Sequence, residues 1–186
     1  MDTSTEHETT WVFGYGSLMW RPGFDFIESE AADLAGAHRS LCVYSWVHRG
    51  TRQKPGLVLG LDQGGSCRGV AFRVRAGERD AVLAYLRARE LVTNVYREVT
   101  RPIRLRREGR PRVGAVTYMV DRAHRQYAGR LGPEAILAHV RAGRGRSGAN
   151  SDYIVNTVAH LRALGLADPV LERIVAALAD TGTRGD

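Results

Sequence analysis

Apolar residues change their period about two thirds of the way along this chain. Up to Val120 they alternate or run in short blocks, the signature of strands; after Asp121 they recur at three- and four-residue steps, the signature of helices. Residues 11–16 predict a short apolar strand that ends at glycines. Residues 34–46, with Leu41, Val43 and Tyr44, predict a second. Residues 57–61 and 67–75 predict two more, flanking Asp62-Gln63-Gly64-Gly65-Ser66, which has the composition of a hairpin turn. In the latter strand Val70, Phe72 and Val74 alternate with Ala71 and Arg73, so one face is buried. Residues 95–106 and 113–120 predict the last pair, joined at Glu108-Gly109-Arg110-Pro111.

One helix interrupts the strands. Over residues 78–90, Leu83, Leu86 and Glu90 fall at steps of three and four and share a face. Later, Gly132-Pro133 predicts a helix start with Pro133 at the first helical position. Residues 143–148 form a glycine- and arginine-rich break. Asn150 is placed to cap a helix carrying Ile154, Val158 and Leu161, which Gly165 can end. Asp168-Pro169 opens a last helix with Val170, Leu171, Ile174, Val175 and Leu178. The expected class is α+β: a small curled or barrel-like sheet with helices packed outside. The polar residues 1–10 are expected to be a disordered tail and residues 11–180 a single domain, with 179–186 loose.

Composition narrows the function classes. No apolar run approaches the length of a membrane span, and the polar N-terminus lacks the basic start and apolar core of a secretory signal. Two cysteines, Cys42 and Cys67, lie in strand-like stretches, so they read as small buried hydrophobes rather than a disulfide framework or a zinc site. These features point to a reducing cytoplasm. The net charge is +7, and Lys54 is the sole lysine, so the excess is arginine. That makes a mild attraction for acidic solutes or nucleic acid.

Three segments could carry chemistry. Phe13-Gly14-Tyr15-Gly16-Ser17-Leu18 follows a strand directly, and its glycines let the backbone turn sharply and approach a ligand. Successive N–H groups in such a turn suit a carboxylate or a developing oxyanion; an ordinary strand-end turn has the same pattern. The segment lacks the glycine spacing and lysine of a P-loop and the third glycine of a dinucleotide fingerprint. Glu90, continuing an apolar stripe, points away from water. Burial would raise its pKa and suit it to general acid–base work, whereas pairing with Arg89 or Arg87 would make it structural. Residues 145–153 form a loop entering a helix, with Tyr153 in the first turn, where ordinary capping is the simpler reading. His48-Arg49-Gly50 and the arginines of 104–112 complete the set, the latter expected to be a solvated turn. The histidines show no H-E-x-x-H spacing, and no G-x-S-x-G elbow is present.

Together these blocks resemble the ChaC-type, glutathione-specific γ-glutamylcyclotransferases. The resemblance rests on Trp-Val-Phe-Gly-Tyr-Gly-Ser-Leu at 11–18 with Trp20 and Pro22. It continues through Val43-Tyr44-Ser45-Trp46 with His48-Arg49-Gly50 and Lys54-Pro55-Gly56, then Arg89-Glu90 followed by Tyr96, and ends at Ser147-Gly148-x-Asn150-x-x-Tyr153. It implies a γ-glutamylcyclotransferase-like fold, a small barrel-like mixed sheet with helices around it. It implies Glu90 as the acid/base. It implies substrate contacts from Phe13, Gly14, Tyr15, Gly16, Ser17, Leu18, Arg49 and Tyr153, with no metal and no organic cofactor. Many relatives have a glycine just before the tyrosine; here Asn94-Val95 stands, and Asn94 can take the left-handed conformation. The implied activity is a lyase reaction that converts glutathione to 5-oxoproline and cysteinylglycine, with a small-molecule partner and neither nucleic acid nor membrane. A cyclotransferase for other γ-glutamyl amines or dipeptides shares the same residues. A basic nucleic-acid-binding module using the 104–112 arginines is the remote alternative, lacking a recognisable motif and interleaved aromatics.

Overall fold

The computed structural model describes residues 9–180. They divide into two compact units. One comprises the chain up to Ser40 together with Leu61–His124; the other comprises Leu41–Gly60 together with the chain from Arg125. Two long strands, β2 (Glu28–Ser45) and β3 (Gly56–Arg75), contribute residues to both.

The first unit also holds β1 (Thr9–Gly14), α1 (Arg79–Glu90), β4 (Tyr96–Leu105) and β5 (Arg112–Val120). The strands form a closed barrel in the order β1-β3-β2-β4-β5. β1 runs antiparallel to β3, β2 to β4 and β4 to β5; a short parallel pairing of Trp11 with Ala115 and Val12 with Val116 closes the ring. The sheet is therefore mixed and barrel-like, and the α+β expectation holds. Closure leaves β1 and β5 no unpaired edge where they meet. The stripe read from the sequence is the buried face of α1: Val82, Leu83 and Leu86 pack with Val12, Leu18, Val74, Val116 and Tyr118. Each such side chain contributes about 2 kcal/mol by leaving water.

Three expectations need correction here. The segment 62–66 does not reverse the chain, because β3 is continuous from Gly56 to Arg75. Gly64 (φ 92°) and Gly65 (φ 71°) take left-handed conformations that interrupt the regular pleat while the strand continues, and His38 Nδ1 lies 2.9 Å from the Gly64 carbonyl oxygen. β2 begins at Glu28, six residues before the predicted strand start, and β1 at Thr9, where Thr9 and Thr10 pair with Arg75 and Val74. The rest of the expected N-terminal tail, residues 1–8, lies outside the described residues, as do 181–186. The 104–112 turn is exposed yet ion-paired: Arg106 and Arg110 reach Asp33, and Arg107 reaches Glu28. Asn94 takes the left-handed conformation anticipated for it, with φ 57°.

The second unit contains α2 (Pro133–Ala142), a miniature hairpin of β6 (Arg144–Gly145) and β7 (Gly148–Ala149), α3 (Asn150–Ala163) and α4 (Pro169–Ala179). Pro133 and Pro169 stand at the opening positions of their helices, and the Asp168 carboxylate accepts from Leu171 N–H. Gly165 (φ 67°) ends α3 in a Schellman arrangement: Leu166 N–H donates to the Leu161 carbonyl and Gly165 N–H to that of Arg162. Asn150 does not cap this helix. It is fully buried, and its amide grips β3 at two points, accepting from Leu57 N–H (2.7 Å) and donating to the Leu57 carbonyl (2.8 Å). Among the described residues no helix is long and apolar enough to cross a membrane.

Candidate active site

Glu90 is the last residue of α1, on the same face as Leu83 and Leu86. Its side chain is 20% exposed. Burial pushes the Glu90 carboxyl above its ordinary range, and the Arg89 guanidinium, with Nε 3.2 Å from Oε1, pulls it only part of the way back. Both readings of the sequence thus have a physical basis: Glu90 is paired, and burial outweighs the pairing.

The turn after β1 belongs to the same unit. Ser17–Met19 make one turn of 3₁₀ helix, held by Met19 N–H on the Gly16 carbonyl (2.9 Å) and Arg21 N–H on that of Ser17 (2.8 Å). The N–H groups of Ser17 and Leu18 open this turn, so neither can reach a carbonyl within it. The candidate residues divide by what they offer. Phe13, Tyr15 and Leu18 are buried, with Leu18 packed in the cluster under α1. The Phe13 carbonyl accepts from the Thr117 hydroxyl at 2.9 Å, and the Tyr15 carbonyl accepts from Arg39 Nε. The Ser17 side chain is exposed, and its hydroxyl oxygen accepts from Arg89 at 2.9 Å. The backbone does come close to something at this turn, but to another strand: a Cβ on Gly69 would lie 2.2 Å from the Gly14 carbonyl oxygen.

Behind Glu90 lies a network with no local sequence signal. Arg87 holds Glu98 in a two-point pair (2.8 and 2.7 Å), and the buried Tyr118 hydroxyl donates to the same carboxylate at 3.0 Å. The Arg87 hydrogen bonds hold the Glu98 carboxyl below its ordinary range, while burial and the Glu98 contact push the Tyr118 phenol above its own. Glu98 and Tyr118 are cross-strand partners in the β4–β5 ladder.

Arg49 and Tyr153 lie in the second unit and meet each other there, with the guanidinium 5.5 Å from the ring centroid. Arg49 donates to the Ser147 carbonyl (2.5 Å) and the Ala149 carbonyl (3.3 Å), and the Tyr153 hydroxyl accepts from Leu59 N–H at 3.2 Å. The backbones here are pressed together at glycines. A Cβ on Gly50 would lie 2.1 Å from Gly56 N, and one on Gly145 would lie 2.4 Å from the Val47 carbonyl oxygen. The His48-Arg49-Gly50 and 145–153 blocks of the sequence are therefore one structural feature. Among the described residues, no group of three or more His, Cys, Asp or Glu side chains stands together where it could hold a metal ion. Cys42 and Cys67 are buried free thiols, as expected.

In class, the fold is that of the γ-glutamylcyclotransferases. It superposes on a solved yeast γ-glutamyl cyclotransferase specific to glutathione with a TM-score of 0.81 and 18% identity, covering 93% of this chain and 96% of that one. Sequence narrows the class further: the model of the ChaC-like protein family matches residues 10–181, and the chain belongs to that family. It is similar to the glutathione-specific gamma-glutamylcyclotransferase of Escherichia coli strain K12, 33% identical over 168 residues that make up 90% of this chain and 72% of the relative. It is also similar to glutathione-specific gamma-glutamylcyclotransferase 1 of Danio rerio, 33% identical in an alignment of 177 residues that covers 92% of this chain and 89% of that protein.

Proposed function

We propose that this protein is a glutathione-specific γ-glutamylcyclotransferase with Glu90 as its acid–base residue. One observation carries the mechanism: Glu90 is a carboxylate whose burial outweighs its ion pair, so its proton affinity lies nearer neutrality than that of a surface glutamate. In the reaction the α-amine nitrogen of the γ-glutamyl residue attacks the γ-carbonyl carbon of the same residue. The C–N bond to the cysteinyl nitrogen breaks as the five-membered ring closes. The proton lost by the attacking amine passes to Glu90 and then to the departing nitrogen, so no water is consumed. Because nucleophile and electrophile share one residue, holding it folded supplies much of the rate.

The Ser17 and Leu18 N–H groups are suited to the substrate carboxylate or the tetrahedral oxyanion. Phe13, Tyr15 and Leu18 would serve through the backbone, since their side chains are buried. Arg49 and Tyr153 remain candidates for substrate contact, and a raised KM in Tyr153→Phe would support that role. The test of the activity is incubation with glutathione, γ-glutamyl-alanine and γ-glutamyl-lysine, with 5-oxoproline measured from each. Release from glutathione alone is expected. Turnover confined to either of the others would reassign the substrate while keeping the chemistry.

A further inference from the structure

An arginine in the last turn of a helix ordinarily extends into water and interacts with the helix dipole. Arg89 does not: its side chain is only 21% exposed, and its guanidinium is spread over two elements. One terminal nitrogen donates to the Arg21 carbonyl (2.7 Å), the Pro22 carbonyl (3.3 Å) and the Tyr85 hydroxyl (3.3 Å). The other donates to the Ser17 hydroxyl at 2.9 Å. Nε faces Glu90 Oε1 at 3.2 Å, although neighbouring helix positions do not normally present side chains to each other. The segment it grips passes hard against α1: a Cβ on Gly23 would lie 2.0 Å from the Tyr85 hydroxyl. Only a planar fork with five donors satisfies acceptors set on so many sides, and a lysine ammonium lacks that geometry.

We propose that Arg89 is a positioning residue that ties the Ser17–Met19 turn and the Arg21–Pro22 backbone to the Glu90 carboxylate through a single guanidinium. The inference rests on the assignment of Glu90 as the acid–base group. Through Arg89 the place of the turn and the charge of the carboxylate are linked. Removing the cation leaves burial to raise the carboxyl further, while removing only the fork frees the turn. Charged and titratable groups near this end of α1 include Tyr85 and Arg87 on α1, Tyr96 and Glu98 on β4 and Tyr118 on β5. Burial and the Glu98 contact push the Tyr118 phenol above its ordinary range, and Arg87 and Glu98 offset each other in their own pair.

The test uses Arg89→Met, Arg89→Lys and Ser17→Ala. In each, Glu90 is titrated in the free protein by side-chain carbon NMR, and kcat and KM for glutathione are measured across pH. Arg89→Met should raise the Glu90 midpoint, move the acid limb of kcat to higher pH, and raise KM about tenfold, the scale of one lost hydrogen bond to a charged group. Arg89→Lys should keep the midpoint close to that of the parent while raising KM. Ser17→Ala should raise KM and leave the midpoint in place. If Arg89→Met fails to fold, Arg89→Gln takes its place, removing the cation while keeping an amide that can donate to the same carbonyls, and the same upward midpoint shift is expected of it. An unmoved midpoint with the cation removed, or an unchanged KM in Arg89→Lys and Ser17→Ala, would overturn the inference. The titration needs no substrate, so a protein that ignored glutathione but showed the midpoint shift would refute the substrate assignment and not the role of Arg89.

Discussion

Glu90 was legible in the sequence as the odd residue on an apolar stripe, because helical periodicity is local. What surrounds it was not. Arg89 is adjacent in the chain and reaches Tyr85 within its own helix, but its other acceptors come from Ser17, Arg21 and Pro22, 72, 68 and 67 positions away, and no spacing rule announces them. The sign of the Glu90 effect on stability follows from its raised carboxyl. A raised folded-state pKa gives stability that is present at acid pH and lost as pH rises through that pKa. Glu90→Gln does not ionise, and it leaves Arg89 its other acceptors. It should therefore melt like the parent at acid pH and at or above it near neutrality, while turnover falls by about 10²-fold or more. Thermal melts against pH, read beside steady-state turnover, check both. A variant that is folded and nearly fully active would remove Glu90 from the mechanism. Asn150 makes the opposite kind of contribution. Asn150→Ala leaves the Leu57 N–H and carbonyl unpaired in the interior, and should cost about 3 kcal/mol in denaturant unfolding.

At the scale of elements, the sequence told strands from helices well and misjudged one connection. Asp62-Gln63-Gly64-Gly65-Ser66 has the residues of a hairpin turn, and left-handed glycines serve a turn and a strand irregularity equally. Only the pairing of β3 with strands from other parts of the chain decides between them. Helix ends were readable at Pro133, Gly165 and Asp168–Pro169, since caps and breakers act within a few residues. Asn150 was misread because its partner lies 93 positions away. The β4–β5 ladder carries its own prediction. The Glu98 carboxyl is depressed by Arg87, so its contribution to stability is present above the ordinary carboxylate pKa and lost as pH falls through the depressed one. Glu98→Gln should destabilise the protein near neutrality, and the difference from the parent should shrink at strongly acid pH. A constant difference across that range would mean the pair contributes shape rather than charge.

For the whole molecule, the barrel of the first unit and the three helices of the second were both anticipated, and the family match spans residues from each. The net charge of +7 gives a mild attraction for acidic solutes or nucleic acid, and in the 104–112 cluster of the remote nucleic-acid reading Arg106, Arg107 and Arg110 are engaged with Asp33 and Glu28. No salt-dependent mobility shift on DNA or RNA is expected, and a shift at physiological salt would contradict that expectation. The central claim is that the γ-glutamyl amide is broken by its own amine and not by water. It is tested most directly by running the reaction with glutathione in ¹⁸O-labelled water and weighing the products. Unlabelled 5-oxoproline and cysteinylglycine are expected in equal amounts. Glutamate carrying the label in its γ-carboxylate, or labelled 5-oxoproline, would contradict it.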